Sequence, residues 1–82
     1  MSERIQVDAL SARIAAAYEL ARVGLRLPDV QRAARTPHTD IEKLQLAMVR
    51  LKDEHLLRTY EIARTLHRDP KTVAYHLGRC AG

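Results

Sequence analysis

The stretch EIARTLHRDPKTVAYHL, residues 61–77, decides how this chain is read. Ile62, Ala63 and Leu66 recur at the spacing that lines one face of a helix. The pattern stops at His67-Arg68. Asp69 then offers a side-chain oxygen to the first amides of a new helix, and Pro70 has the backbone angle that suits its first position. Val73 and Leu77, four apart, resume the apolar pattern. The spacing predicts a helix over residues 60–66 capped by Thr59, a tight turn, and a last helix from 70 to about 79. With Val73 and Leu77 turned inward, Lys71, Thr72, Tyr75, His76 and Arg79 face outward.

Upstream, Thr39 and Glu42 have the spacing of a capping box, in which each side chain satisfies the other residue's amide. The helix expected there carries Ile41, Leu44, Met48, Leu51 and His55 on one stripe, widened by Ala47 and Leu56, and ends near Leu57 or Arg58. Before it, TPHTD is a break, and LPDVQRAAR reads as a short helix with Pro28 in its first turn. The first helix is expected over residues 2–24, stopped by Gly24. It carries two apolar stripes. One is Val7, Leu10, Ile14, Ala17, Ala21 and Leu25; the other is Ile5, Ala9, Ala12, Ala16, Leu20, Val23 and Leu27. Two such faces exceed what a surface helix needs, so either the domain encloses the helix or one face meets a partner.

Composition agrees with helices. The 82 residues suit a single domain, and the chain has neither Trp nor Phe, so aliphatic side chains must build the core. No segment alternates with the period of a strand. The fold expected is an all-α small helical bundle spanning residues 1–82, with a long N-terminal helix and a C-terminal pair of short helices. One cysteine cannot form an internal disulfide, and the charged start MSERIQVD lacks the apolar core of a signal peptide. No run approaches the ~20 apolar residues of a membrane span. The expectation is a cytoplasmic, nucleoid-associated protein with no membrane contact.

The net charge is +4 and is unevenly placed. Residues 55–82 hold five Lys/Arg against two Asp/Glu, and three of the four histidines. An excess of this kind favours an anionic partner. Two short helices joined by a tight turn, the second capped and basic, form a helix-turn-helix over about 59–79. That geometry projects the second helix into the DNA major groove.

These residues resemble the bacterial regulator pattern E-I-A-x-x-L-G-x-S-P-x-T-V-x-x-H-L. That pattern has glycine at the place of His67, which implies a positive φ there. The wider stretch from Pro28, including QLAMVRLKDEHLLRTYEIA and HRDPKTVAYHL, resembles the C-terminal DNA-binding domain of the bacterial replication initiator DnaA, a TrpR-like helix-turn-helix. Tyr18 sits where that domain often has an aromatic helix before its basic loop. Pro70 and Lys71 replace residues that contact bases in that family, so its sequence preference does not transfer. No phosphate-binding G-x-x-x-x-G-K-[ST] occurs in the chain, so the initiator's ATPase domain is absent from it. The resemblance implies sequence-specific binding of double-stranded DNA by a small transcription or replication regulator. Arg32 and Arg35 would then act as loop arginines at the minor groove. The DNA-contacting set is Arg32, Arg35, Thr59, Arg68, Asp69, Pro70, Lys71, Thr72, Tyr75, His76 and Arg79.

No cofactor is expected. His76 and Cys80, four apart, fall short of the four ligands of a structural zinc site. No paired carboxylates, Gly-rich loop or Cys/His or Ser/His arrangement supports an enzyme. A homodimer through the stripe Ile5, Ala12, Ala16, Leu20 and Val23 would double the DNA contacts. The competing reading is a protein-interaction module, or an antagonist of the initiator. It would dock through the apolar first helix and have no specific DNA site.

Overall fold

Alanine-rich and leucine-rich segments, punctuated by Pro and Gly, form five α-helices and one 3₁₀ turn in a computed structural model. It describes residues 9–33 and 36–81, with side chains for 10–33 and 36–78. Helix α1 spans Ala9–Arg22 and α2 spans Leu27–Arg32. The 3₁₀ turn His38–Asp40 leads into α3, Ile41–Asp53, followed by α4, Thr59–Leu66, and α5, Pro70–Ala81. Among the described residues there is no strand, and no helix is long and apolar enough to cross a membrane. The all-α expectation holds. Residues 2–8 of the expected first helix, and with them Ile5 and Val7, lie outside the described residues.

Leu20, Leu44, Met48, Leu51, Leu57, Ile62, Leu66 and Val73 form the buried centre. Helices α3 and α4 form the middle of the domain. α1 packs on both of them, and α5 packs on both from elsewhere, without touching α1. The short α2 bridges α1 and α4.

Several local expectations need correction. Ala12, Ala16 and Leu20, the stripe assigned to a dimer, are buried in the domain's own core. The opposite stripe of α1 is the exposed one. The capping box at Thr39 does not form. A 3₁₀ turn precedes α3, Asp40 occupies the cap position, and neither supplies a side-chain cap bond. A capping interaction forms at α4 instead, where the Arg58 amide donates to the Glu61 carboxylate over 2.7 Å. Thr59 is therefore the first residue of α4 and not its cap. Helix α3 ends at Asp53, several residues early. Leu56 leaves the apolar stripe with a φ of 59° and is 76% exposed, and Leu57 takes the core position.

Three helix ends turn through a left-handed residue: Gly24 after α1, Leu56 after α3 and His67 after α4. Gly24 adopts that conformation without steric cost, and the Leu25 amide returns to the Leu20 carbonyl over 2.8 Å to close the helix. His67, at φ 58°, does the same work between α4 and α5, with the Arg68 amide donating to the Ala63 carbonyl over 2.8 Å. The positive φ expected at His67 is present.

Candidate functional site

Helices α4 and α5 meet at His67-Arg68-Asp69 with the short connection the sequence predicted. Asp69 caps α5: its carboxylate accepts from the Lys71 amide over 2.7 Å. Pro70 opens the helix, where a missing amide costs nothing. Val73 and Leu77 are buried against α3 and α4, so the register of α5 is fixed. The outward face is then centred on Tyr75, which is exposed, and flanked by exposed Lys71 and Thr72. The helical register places Arg79 on this face, although its side chain lies outside those described.

Gly78 belongs to the same face and escaped the sequence reading. A Cβ built there meets nothing within 4 Å, so packing inside the domain does not require glycine. A helix-interior glycine costs roughly 0.5–1 kcal/mol relative to alanine. What it provides on an exposed face is a place where another surface can approach the backbone.

Three members of the predicted contact set serve the domain internally. The Arg68 guanidinium turns inward. Its Nη1 donates to the carbonyls of Val30 at 2.9 Å and Ala33 at 3.0 Å, and lies 3.4 Å from that of Leu66. Its Nη2 donates to the Thr36 hydroxyl over 3.2 Å. These carbonyls belong to the ends of α2 and α4, where helices leave acceptors unpaired and favour a cation. Burial lowers the Arg68 pKa below the ordinary arginine value. His76 is half-buried on the flank of α5, and its Nδ1 pairs with Gln45 Nε2 of α3 at 2.8 Å. Asp69 is engaged as the cap.

Nothing in the local sequence marks Arg68 as inward-facing; its nearest acceptors lie at the end of α2, more than 30 residues away. Gln31 was missed altogether: its Nε2 donates to the Thr65 carbonyl over 2.8 Å, a second tie between α2 and α4.

The remaining candidates are spread apart. Arg32 is exposed on α2 and paired with Asp29 at 2.8 Å. Thr59 is half-buried at the start of α4, and Pro70 is exposed. Arg35 lies outside the described residues. Beside the start of α5 runs an open groove of about 690 Å³, lined in part by His38, Ile41, His67, Asp69, Thr72 and His76.

A second polar cluster sits between α1 and the end of α3. Glu19 is buried, its two carboxylate oxygens accepting from His55 Nε2 at 2.8 Å and Arg22 Nη1 at 3.3 Å. Glu54 lies close enough that it, Glu19 and His55 could offer three ligand atoms to one metal ion. Arg22 already supplies the positive charge there, 4.0 Å from Glu54 as well. The cluster reads as an internal ion-pair network joining α1 to α3.

No family model, no curated protein and no solved structure matches this chain.

Proposed function

We propose that this chain binds double-stranded DNA sequence-specifically, with the first two turns of α5 in the major groove. The observation that supports this most is the face centred on Tyr75. It combines a capped helix start, an exposed lysine and threonine in the first turn, and a glycine that permits close approach. The excess of basic residues in the C-terminal third points the same way, as does the resemblance to the initiator's DNA-binding domain. Lys71, Thr72, Tyr75 and Arg79 form the proposed reading set. Arg32 and Arg35 contact backbone, while Arg68, Asp69 and His76 hold the reading helix in place.

Selection of bound duplexes from a random pool, followed by anisotropy titrations at several salt concentrations, tests this. Lys71→Ala should lose most affinity on the selected site, since a good base contact carries ~1–3 kcal/mol of discrimination. Arg32→Ala should weaken selected and random duplexes alike and reduce the log–log salt slope by about 0.9 if one phosphate contact is lost. No duplex binding at low salt, or a Lys71→Ala variant that binds both pools as the parent does, refutes the proposal.

A second reading is favoured by one observation. Leu10, Ile14 and Tyr18 of α1 are exposed, which suits a protein-interaction module working through that helix.

A further inference from the structure

Helix α1 is apolar on both sides. Ala12, Ala16 and Leu20 face the core, and the opposite line is Leu10, Ile14, Ala17 and Ala21. All four of these residues are exposed, Leu10 by 64% and Ile14 by 62%. Their spacing of four, three and four is that of a coiled-coil seam, and Tyr18 widens it on one side. Glu19, the only acidic residue of α1, is buried. Two apolar lines on one helix exceed what a surface helix needs.

We propose that a second copy of this chain packs antiparallel against this face of α1. The order of side-chain sizes along the seam selects that occupant. The two large residues come first and the two small ones last. Antiparallel pairing about a two-fold axis near Ala15-Ala16 sets Leu10 against Ala21 of the second copy and Ile14 against Ala17, both from one midpoint. Each large side chain then meets a small one along the whole seam, and the face is self-complementary as an isologous interface requires. Parallel pairing would stack Leu10 on Leu10 and Ile14 on Ile14, holding the helices apart where the alanines are.

Charge permits the arrangement. Arg22 is held by Glu19 at 3.3 Å and lies over the Tyr18 ring, 5.8 Å from its centroid, so the C-terminal flank is largely neutralised. Arg13 borders the other flank, and antiparallel pairing offsets its two copies by about 7.5 Å along the axis, at 1.5 Å rise per residue. One helix face buries less than the roughly 1,000 Å² of a stable interface, so the dimer is weak and concentration-dependent.

Because α1 and α5 do not touch and pack on the same middle helices, pairing through α1 leaves both α5 faces open. On the DNA reading, the dimer would present two reading helices at once. That consequence rests on the DNA reading; the pairing itself does not.

Sedimentation velocity of the full chain from roughly 10 to 500 µM, a span suited to an interface below standard size, reads the pairing. Self-association is expected across that range. Ala17→Leu adds apolar surface but fills the space that Ile14 of the second copy needs, so it should weaken association at least tenfold, as should Ile14→Lys. Both positions are exposed, and unchanged circular dichroism melting would show that the fold is kept. In a Cys80→Ser background, mixing Ile14→Cys with Ala17→Cys chains should give the 14–17 disulfide in preference to 14–14 or 17–17. Monomer throughout the range overturns the proposal. So does association indifferent to both seam variants, or dominance of the like-with-like disulfides. Dimerisation by a protein that binds no duplex leaves this inference standing and removes the DNA reading.

Discussion

Arg68→Ala should unfold this domain more readily than any other single change to an exposed or half-buried side chain. The guanidinium makes two short bonds, to Val30 and Ala33, and two longer ones, to Leu66 and Thr36. A hydrogen bond involving a charged group contributes about 1.5–3 kcal/mol net. The two short bonds therefore set an upper value of ~3–6 kcal/mol. Arg68 is only half-buried, so water can replace part of what is lost, and about 2–3 kcal/mol is the expected cost. In a domain of this size each kcal/mol moves the melting temperature by about 4–8 °C, so a fall of roughly 10–20 °C should follow. Arg68→Lys keeps the charge but not the fork of donors, and should recover at most about half of the loss. Urea and thermal unfolding followed by circular dichroism measure both. A change below about 0.5 kcal/mol, the range of ordinary surface substitutions, would refute the reasoning, all the more if DNA binding fell at the same time. Arg68 would then be a contact residue after all.

Four further substitutions probe the local physics. Thr39→Ala should leave stability unchanged, whereas Asp69→Ala should cost about 1 kcal/mol through the lost cap, both read by urea unfolding. Leu56→Gly should stabilise the domain by roughly 0.5–1 kcal/mol, because it relieves a left-handed leucine that buries little. Gly78→Ala should raise stability by a similar amount, about 0.5–1 kcal/mol, and weaken duplex binding in the same sample. A gain in both would remove Gly78 from the reading face.

The helix-turn-helix was legible because each of its signals is local. The apolar spacing of Ile62, Ala63 and Leu66, the Asp69-Pro70 start and the pair Val73 and Leu77 lie within 17 residues. The left-handed His67 was implied by the resemblance, whose pattern has glycine at that place. The errors came where tertiary packing chose between equal local options. Both stripes of α1 were apolar in sequence, and only the positions of α3 and α4 decide that Ala12, Ala16 and Leu20 are the buried ones. Thr39 and Glu42 had correct spacing for a capping box, but the chain enters α3 through a 3₁₀ turn that moves the cap position to Asp40. Arg68 and His76 are basic or hydrogen-bonding residues, and composition cannot tell which of those will point inward. Their partners, Val30, Ala33 and Gln45, are more than 30 residues away.

If α5 reads DNA as proposed, contact and support are separate sets of residues on one small element, and a simple loss of binding cannot distinguish them. Arg68 and Gln31 fasten α2 to the end of α4, the Gln45–His76 pair fastens α5 to α3, and Asp69 sets where α5 begins. Any of these, when removed, can tilt the reading helix and abolish binding without ever touching DNA. Lys71 and Thr72 carry no such duty in the core: their side chains are exposed, and Val73 and Leu77 fix the helix without them; Tyr75 is exposed too, with its ring edge-on to His76 at 5.7 Å. The two classes separate when affinity is plotted against unfolding free energy across variants. Support residues should fall on a common line, losing affinity as they lose stability. Reading residues should fall below it, losing affinity at full stability, and Gly78→Ala should lie furthest off the line because its stability rises as its affinity falls.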